Sequence, residues 1–318
     1  MSRWLKIFLL FVVGACALAI QGRYSPLPLW ARGPAQAKPE FMLQEGLNPG
    51  GRLALTPDGE FLLTAGIRNS PLLWNAKTGD ALSFFQGHIS YITGMFVLPD
   101  GERLLTSSDD KTMKLWDIRT RKVLRTFRGH TTGISKMVLT RSGRYAVTFG
   151  GKSDFVGVGG DLKLEWEDVQ PIVWDVEKGK EIRRLEKLEK FVAGLCVSPD
   201  EKELATGTSD GTVHVWSMRT GKIVRVLKLK TAAGNASNDV TDTAISPDGR
   251  LLAVGFEDKS VRVLDFKTGR ELKRLPHELK VHDVSWSPDG RFLASASGDS
   301  WAGKGKVALW DTRTWRRT

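Results

Sequence analysis

Three histidines in this 318-residue chain have a spacing that suggests chemistry. His88, His130 and His277 each lie 13 positions before a glycine that closes a short turn. Histidine together with a hydroxyl group and a carboxylate is the composition of a nucleophilic catalytic site. A set that recurs along one chain is better explained by structure, because buried polar groups must be hydrogen-bonded wherever they occur. We therefore predict a structural role for these histidines and no catalytic residue among them.

The rest of the sequence favours no metal and no cofactor. No cluster of His, Cys or carboxylate residues has the spacing of a metal site. The glycine-rich stretch 157–161 lacks the Lys-Ser/Thr pair of a phosphate-binding loop. We expect neither kind of ligand.

A repeat defines the elements that must position the histidines. Six Pro-Asp-Gly-like turns are each followed by a partner position that is usually Trp. In four units the partner position lies 15 residues after the last residue of the turn. The turns are Thr56–Gly59, Pro99–Gly101, Arg141–Gly143, Ser198–Glu201, Ser246–Gly249 and Ser287–Gly290, and their partner positions are Trp74, Trp116, Trp174, Trp216, Leu264 and Trp310. Because the partner positions recur every 42 to 58 residues, the pattern indicates a repeat architecture.

Each unit contains short apolar runs separated by turn residues. In the fifth unit, Val240–Ser246 precedes the turn, Arg250–Gly255 follows it, and Ser260–Leu264 ends at the partner position. A further run such as Ile223–Leu227 follows a Thr-Gly-Lys turn. Runs of this length between turn residues predict antiparallel strands. Four strands per unit, repeated, are typical of the blades of an all-β β-propeller.

Dipeptides at fixed places make the resemblance to a known family specific. Residues 40–318 resemble the WD40 repeat family through three Trp-Asp pairs that begin at Trp116, Trp174 and Trp310, and through the Gly-His pairs that end at His88 and His130. The resemblance implies four-stranded blades in which His, Ser or Thr, Asp and Trp form a buried hydrogen-bonded set; the family more often has seven blades, but the repeat count here gives six. Units two and six match the set fully, with His88, Thr106, Asp110 and Trp116, and with His277, Ser295, Asp299 and Trp310. Unit four has Leu188 in the His position, and unit five retains only Asp258.

The two ends of the repeat suggest how the ring closes. Only seven residues follow the last Trp-Asp pair, and Lys38–Leu43 lies where a fourth strand would precede the first unit. We expect this segment to pair with Val307–Trp310, since closure removes exposed sheet edges. The predicted fold is therefore a six-bladed propeller closed by its N-terminal strand.

Departures from the repeat spacing locate three insertions. Unit three has 16 extra residues and unit six has five, both between the second and third strands, and six more follow the fourth strand of unit four. Both kinds of connection emerge on one face of an antiparallel blade, so we predict that this face binds partners. Aromatic residues beside charges are typical interface anchors, and the candidates are Phe155, Trp166, Glu167, Trp301 and Lys304. One alternative stays open, in which Trp166 begins an elongated third strand and packs inward.

The charge and the cysteines add little to this interpretation. The formal charge is +11, from 47 basic and 36 acidic residues, and the basic residues occur in every repeat. That distribution favours a solvated surface, so we do not expect nucleic acid as a partner. Cys196 alternates with Leu195 and Val197, which predicts a small side chain packed in a strand.

The N-terminus has the pattern of an export signal or a membrane anchor. Arg3 and Lys6 precede the apolar run Ile7–Val13, which continues to Ile20. Three alternatives remain: cleavage near Ala17–Ala19, lipidation of Cys16, or an uncleaved anchor. The predicted organisation is a signal or anchor in residues 1–20, a Pro/Ala-rich linker in 21–37 and the propeller in 38–318, outside the cytoplasm.

These observations predict a non-enzymatic scaffold that binds protein partners. The first alternative is a propeller enzyme of hydrolase or lactonase type, with His282, Asp283 and Asp242 in a central channel. The second is a polyanion-binding propeller, which requires the positive charge to gather on one face.

Overall fold

We describe residues 53–65, 69–156, 163–167, 170–188, 190–229, 239–299 and 304–318 of a computed structural model. They form six four-stranded antiparallel sheets and a separate hairpin, with no α-helix among them. The six sheets are the blades of a β-propeller, which confirms the predicted fold class. The predicted signal or anchor and the linker lie outside these residues. Within the described ranges, no helix has the length and apolarity needed to span a bilayer.

Each blade contains four strands that are neighbours in both sequence and space. The first strand of every blade is innermost and the fourth is outermost. Blade 1 contains β1 (Leu53–Leu55), β2 (Phe61–Ala65), β3 (Pro71–Asn75) and β4 (Ala81–Phe84), and blade 2 contains β5 (Ile92–Val97), β6 (Arg103–Ser108), β7 (Thr112–Asp117) and β8 (Val123–Arg128). Blade 3 contains β9 (Ile134–Leu139), β10 (Tyr145–Gly150), β13 (Ile172–Asp175) and β14 (Lys180–Arg184), and the separate hairpin contains β11 (Lys152–Val156) and β12 (Lys163–Glu167). Blade 4 contains β15 (Val192–Val197), β16 (Glu203–Thr208), β17 (Thr212–Ser217) and β18 (Ile223–Lys228); blade 5 contains β19 (Val240–Ile245), β20 (Leu251–Phe256), β21 (Ser260–Asp265) and β22 (Glu271–Pro276); blade 6 contains β23 (Val281–Trp286), β24 (Phe292–Asp299), β25 (Lys304–Asp311) and β26 (Arg316–Arg317).

The core lies between consecutive blades. The second and third strands are buried almost throughout, whereas outer strands such as β14 are exposed. Partner positions pack on the preceding blade: Trp116 contacts the ring of Phe85 edge to face at 5.8 Å, and Trp174 contacts Phe127 at 5.9 Å. Burying a large apolar side chain stabilises a fold by about 1.5–3 kcal/mol. The recurring Trp therefore joins the blades together.

The Pro-Asp-Gly turns follow from local hydrogen bonding. In blade 5, Ser246 Oγ donates to Asp248 at 2.6 Å, and the amide of Gly249 donates to the Ser246 carbonyl at 2.8 Å. Gly249 has a φ of 74°, a conformation that glycine adopts without steric cost. In blade 4 Glu201 adopts this conformation instead, and its carboxylate accepts hydrogen bonds from Ser142 of blade 3. The turns of blades 3 and 4 thus contact each other.

The structure adds two details that the repeat did not predict. The C-terminal residues form the fourth strand of blade 6, where β26 pairs with Trp310 and Asp311. The predicted closing segment, residues 38–43, lies outside the described residues. In blade 6 the insertion lengthens β24 and β25 to eight residues each, instead of forming only a loop.

Candidate functional site

The two faces of the disc carry different kinds of connection. Turns between first and second strands lie beside turns between third and fourth strands; for example, the amide of Ile118 donates to the Glu102 carbonyl at 2.9 Å. We call this the turn face. The opposite, insertion face carries the connections between second and third strands and between blades.

The backbone of the long insertion forms its own hairpin. β11 and β12 pair antiparallel in a separate two-stranded sheet, with Phe155 opposite Leu164 and Trp166 opposite Ser153. Trp166 is therefore not at the start of an elongated third strand of blade 3, because β13 begins at Ile172. Glu167 ends β12, on the same hairpin. The side chains of these residues lie outside the described part of the structure.

The remaining candidates lie on the blade 6 insertion. Lys304 is the first residue of β25 and pairs with Asp299 at the end of β24. Trp301 is outside the described residues. The hairpin and the end of blade 6 are both on the insertion face, so their shared location agrees with the expectation, and their role as contacts stays a prediction.

Two exposed apolar residues on the same face were missed by the sequence analysis. Ile89 and Tyr91, in the connection between blades 1 and 2, are 85% and 58% exposed. The connection is held by its backbone: the Ile89 amide donates to Asp110 at 3.1 Å, and the Asp109 amide donates to the Tyr91 carbonyl at 2.9 Å. An Ile directly after the His of the repeat was the available signal, but exposure is not visible in the sequence.

The polar set of blade 2 forms a chain of hydrogen bonds. The Trp116 indole N–H donates to Thr106 at 2.8 Å, the Thr106 hydroxyl contacts His88 Nε2 at 2.8 Å, and His88 Nδ1 donates to Asp110 at 2.7 Å. Burial raises the pKa of Asp110, but the hydrogen bonds from His88 and Thr112 outweigh it and lower that pKa. The order of groups is that of a catalytic triad. The Thr106 side chain is buried, with 0% exposure, so the set lies out of reach of a substrate.

Other blades repeat this set with changes. In blade 6, His277 Nε2 contacts Ser295 Oγ at 2.7 Å, and the Trp310 N–H donates to the same oxygen at 3.0 Å, while His277 Nδ1 contacts the Leu275 carbonyl. Asp299 lies at the end of β24. In blade 3, Thr148 joins His130 and Trp174 in the same way, at 2.7 Å each. Its recurrence between blades supports a structural role.

The polar residues predicted to lie in the central channel also form hydrogen bonds. Asp242 accepts a hydrogen bond from the Val284 amide at 3.0 Å, and burial raises the pKa of its carboxyl group. His282 Nε2 contacts the Gly298 carbonyl at 3.2 Å. Cys196 donates to Thr243, and burial raises the pKa of its thiol to about 12, so this thiol stays protonated. No group of three metal-binding side chains occurs in the described residues.

Comparisons with known proteins agree with the architecture. A model of the WD domain, G-beta repeat, matches residues 79–117, 179–217 and 269–311. A model of the anaphase-promoting complex subunit 4 WD40 domain matches residues 225–280. Together with the six blades, these matches define the class, and the chain belongs to the WD40 repeat family.

The curated relatives match only short stretches. Autophagy-related protein 16 of Arabidopsis thaliana is 51% identical over 37 residues, which are 12% of this chain and 7% of that protein. WD repeat-containing protein 3 of Homo sapiens is 41% identical over 46 residues, which are 14% of this chain and 5% of that protein. The chain thus covers less than a tenth of either relative, and the likeness supports the repeat rather than a particular activity.

Proposed function

We propose that this WD40 propeller is a non-enzymatic scaffold that binds a partner protein through its insertion face. The observation that carries the proposal is the exposure of Ile89 and Tyr91 on a connection that is fixed by backbone hydrogen bonds. Exposed apolar and aromatic side chains on a rigid loop bind a partner with little loss of conformational entropy. The hairpin β11–β12 lies on the same face and adds to the surface available to a partner.

The test compares the insertion face with the side of the disc. In the full chain, the double variant Ile89→Asp/Tyr91→Ala, and separately Trp166→Ala/Trp301→Ala, should abolish capture of the partner from host extract. The melting temperature of the variants should stay near that of the parent; for the first variant the reason is that Ile89 and Tyr91 are exposed and do not belong to the core. A matched control is Val224→Ala/Val226→Ala, which removes exposed apolar groups from the outer strand β18.

Two results would contradict the insertion-face proposal. One is equal capture by the insertion-face variants and the control. The other is a loss of folding in the Trp variants, which would place those side chains in the core.

We further propose that the scaffold works outside the cytoplasm or attached to a membrane. The support is the pair Arg3 and Lys6 before the apolar run that ends at Ile20. Residues 1–37 fused to a reporter enzyme that is active only after export should give activity. A fusion protein that stays in the cytosol and shows no reporter activity would contradict the proposal.

A further inference from the structure

A cavity of about 400 Å³ opens on the turn face at the mouth of the central channel. Its size lies within the range of ligand pockets, about 300–1,000 Å³. The wall is formed by the ends of the innermost strands of blades 3 to 6 and by the turns that follow them. The lining residues are Val138, Leu139, Arg141, Cys196, Val197, Ser198, Pro199, Thr243, Ala244, Ile245, Pro247, Ser285, Trp286 and Pro288.

Apolar side chains form most of the wall of this cavity. Val, Leu, Ile, Ala and Pro side chains dominate it. Several polar groups are already engaged: the Trp286 N–H donates to the Ala244 carbonyl at 3.0 Å, the Cys196 thiol donates to Thr243, and the Ser198 hydroxyl donates to Asp200 at 2.6 Å. Such a wall favours a large apolar side chain over a charged or polar one.

Exposed cations lie near the cavity, beside the carboxylates of the Pro-Asp turns. Arg141 belongs to the lining and is exposed. Around it, the turns between third and fourth strands carry exposed cations that form no salt bridge with a described residue: Arg119, Arg121, Lys122, Arg219, Lys222, Lys267, Arg270 and Arg313. Carboxylates on the same face are engaged as well: Asp248 accepts hydrogen bonds from Ser246 and from the Arg250 amide within its own turn, and Glu177 pairs with Arg103 of the neighbouring blade.

Several cations on the insertion face have partners, although Lys111 and Lys259 form no salt bridge with a described residue. Lys190 pairs with Asp210, Lys280 pairs with Glu257, and Lys306 pairs with Glu278. Among the described residues, more cations without a salt bridge therefore lie on the turn face, which also carries the apolar cavity. Clustered charge of one sign raises the local concentration of an oppositely charged partner and speeds its association.

We propose that the turn face binds an extended acidic segment of a partner protein, with one large apolar side chain in the channel-mouth cavity and flanking carboxylates near Arg141 and the basic turns of blades 4 to 6. The cavity distinguishes this partner from a nucleic acid, which has no apolar side chain to insert. The site is separate from the insertion face, and neither proposal depends on the other.

The experiment uses fluorescent acidic peptides that differ in one residue. One peptide has a central Trp between several Asp and Glu residues, and the other has Ala in its place. Binding to the full chain is measured by anisotropy at about 50 mM salt, where surface charges are weakly screened. The Trp peptide should bind about tenfold more tightly, a ratio that corresponds to about 1.4 kcal/mol.

Substitutions distinguish the contribution of the cavity to peptide affinity from the contribution of the basic residues. Ser285→Phe, which fills the cavity, should weaken the Trp peptide about tenfold and leave the Ala peptide unchanged. Ala244→Leu fills the same space with a smaller change, in case the first variant folds poorly. Arg141→Glu should weaken both peptides, whereas Lys111→Glu on the insertion face should weaken neither.

Several outcomes would overturn the proposal. They are equal affinity for the two peptides, unchanged Trp-peptide affinity in both cavity variants, or no binding up to about 1 mM peptide. Binding of phosphatidylserine vesicles without peptide binding would assign the face to a lipid surface instead, and concentration-dependent dimerisation lost in Ser285→Phe would assign it to a second copy. Ile89→Asp/Tyr91→Ala should retain peptide affinity, so failure of the insertion-face proposal is distinguishable from failure of this one.

Discussion

Blades 2 and 5 have different side chains at equivalent buried positions. In blade 2, Thr106 lies between the indole of Trp116 and the imidazole of His88. In blade 5, Val254 and Leu264 occupy the positions of Thr106 and Trp116, and both are buried. The conserved element of the repeat in blade 5 is Asp258, which pairs with Arg262 at 2.6 Å.

Arg262 provides the positive charge that blade 5 needs. Its side chain is 0% exposed and its guanidinium also lies 4.0 Å from the centre of the Phe256 ring. A buried carboxylate is costly unless it is paired, and an imidazole or a guanidinium can both pair with it. The comparison teaches that another buried pair can replace the His–Thr–Asp set between blades, which indicates a structural role for the set.

The largest expected effect is the loss of Arg262. Arg262→Ala leaves Asp258 buried without its ion-pair partner, so we expect the free energy of unfolding to fall by about 3–5 kcal/mol. Urea denaturation of the full chain measures it. The control is Arg262→Met/Asp258→Ala, which removes both charges and should recover most of the loss. A small effect of Arg262→Ala would show that the pair is not needed in blade 5.

A smaller effect is expected from exchanging the central residues of the two blades. Thr106→Val leaves His88 Nε2 and the Trp116 indole N–H without their Thr106 partner, and Val254→Thr buries a hydroxyl among apolar side chains. Each should cost about 1–3 kcal/mol by the same denaturation measurement. Thr106→Ser is the control, because blade 6 uses Ser295 at this place. If Val254→Thr were stabilising, blade 5 would be a defective polar blade and not an apolar one.

The smallest effect is a difference in acid stability. The pKa of Asp110 is lower in the folded chain than its ordinary value of 3.8, so the folded state binds fewer protons than the unfolded state. The stabilisation is therefore complete above about pH 4 and is lost as the pH falls further. Asp110→Asn should be less stable than the parent at neutral pH and should lose less stability on acidification. Parallel acid profiles of parent and variant would contradict the assignment.

Much of the fold follows from residues close together in the sequence. The turn at Ser246–Gly249 and the strands beside it depend on hydrogen bonds within a few residues, so spacing alone predicts them. The polar set of blade 2 was also predicted, but through the resemblance to the WD40 repeat family, whose pattern His88, Thr106 and Asp110 match within one repeat unit. The partner of Asp258 was not predicted, since Arg262 does not belong to the repeat pattern.

The candidate sites were only partly predictable. Spacing located the insertions and hence the insertion face, but it did not show that β11 and β12 pair with each other. It also gave no sign that Ile89 and Tyr91 are exposed or that the turn face surrounds an apolar cavity. The even distribution of Lys and Arg along the chain did not show that more of the described cations without a salt bridge lie on the turn face.

The sequence by itself determined the number of blades, the place of each turn and the loss of Trp at Leu264, because these depend on local periodicity and on turn chemistry. Only the tertiary structure decided which side chains are exposed, which charges are paired and where the channel opens. Those properties arise where blades meet, as at Trp286 and Ala244, which lie 42 positions apart and are joined by one hydrogen bond. Contacts at that separation depend on how whole sheets pack, and no local pattern encodes them.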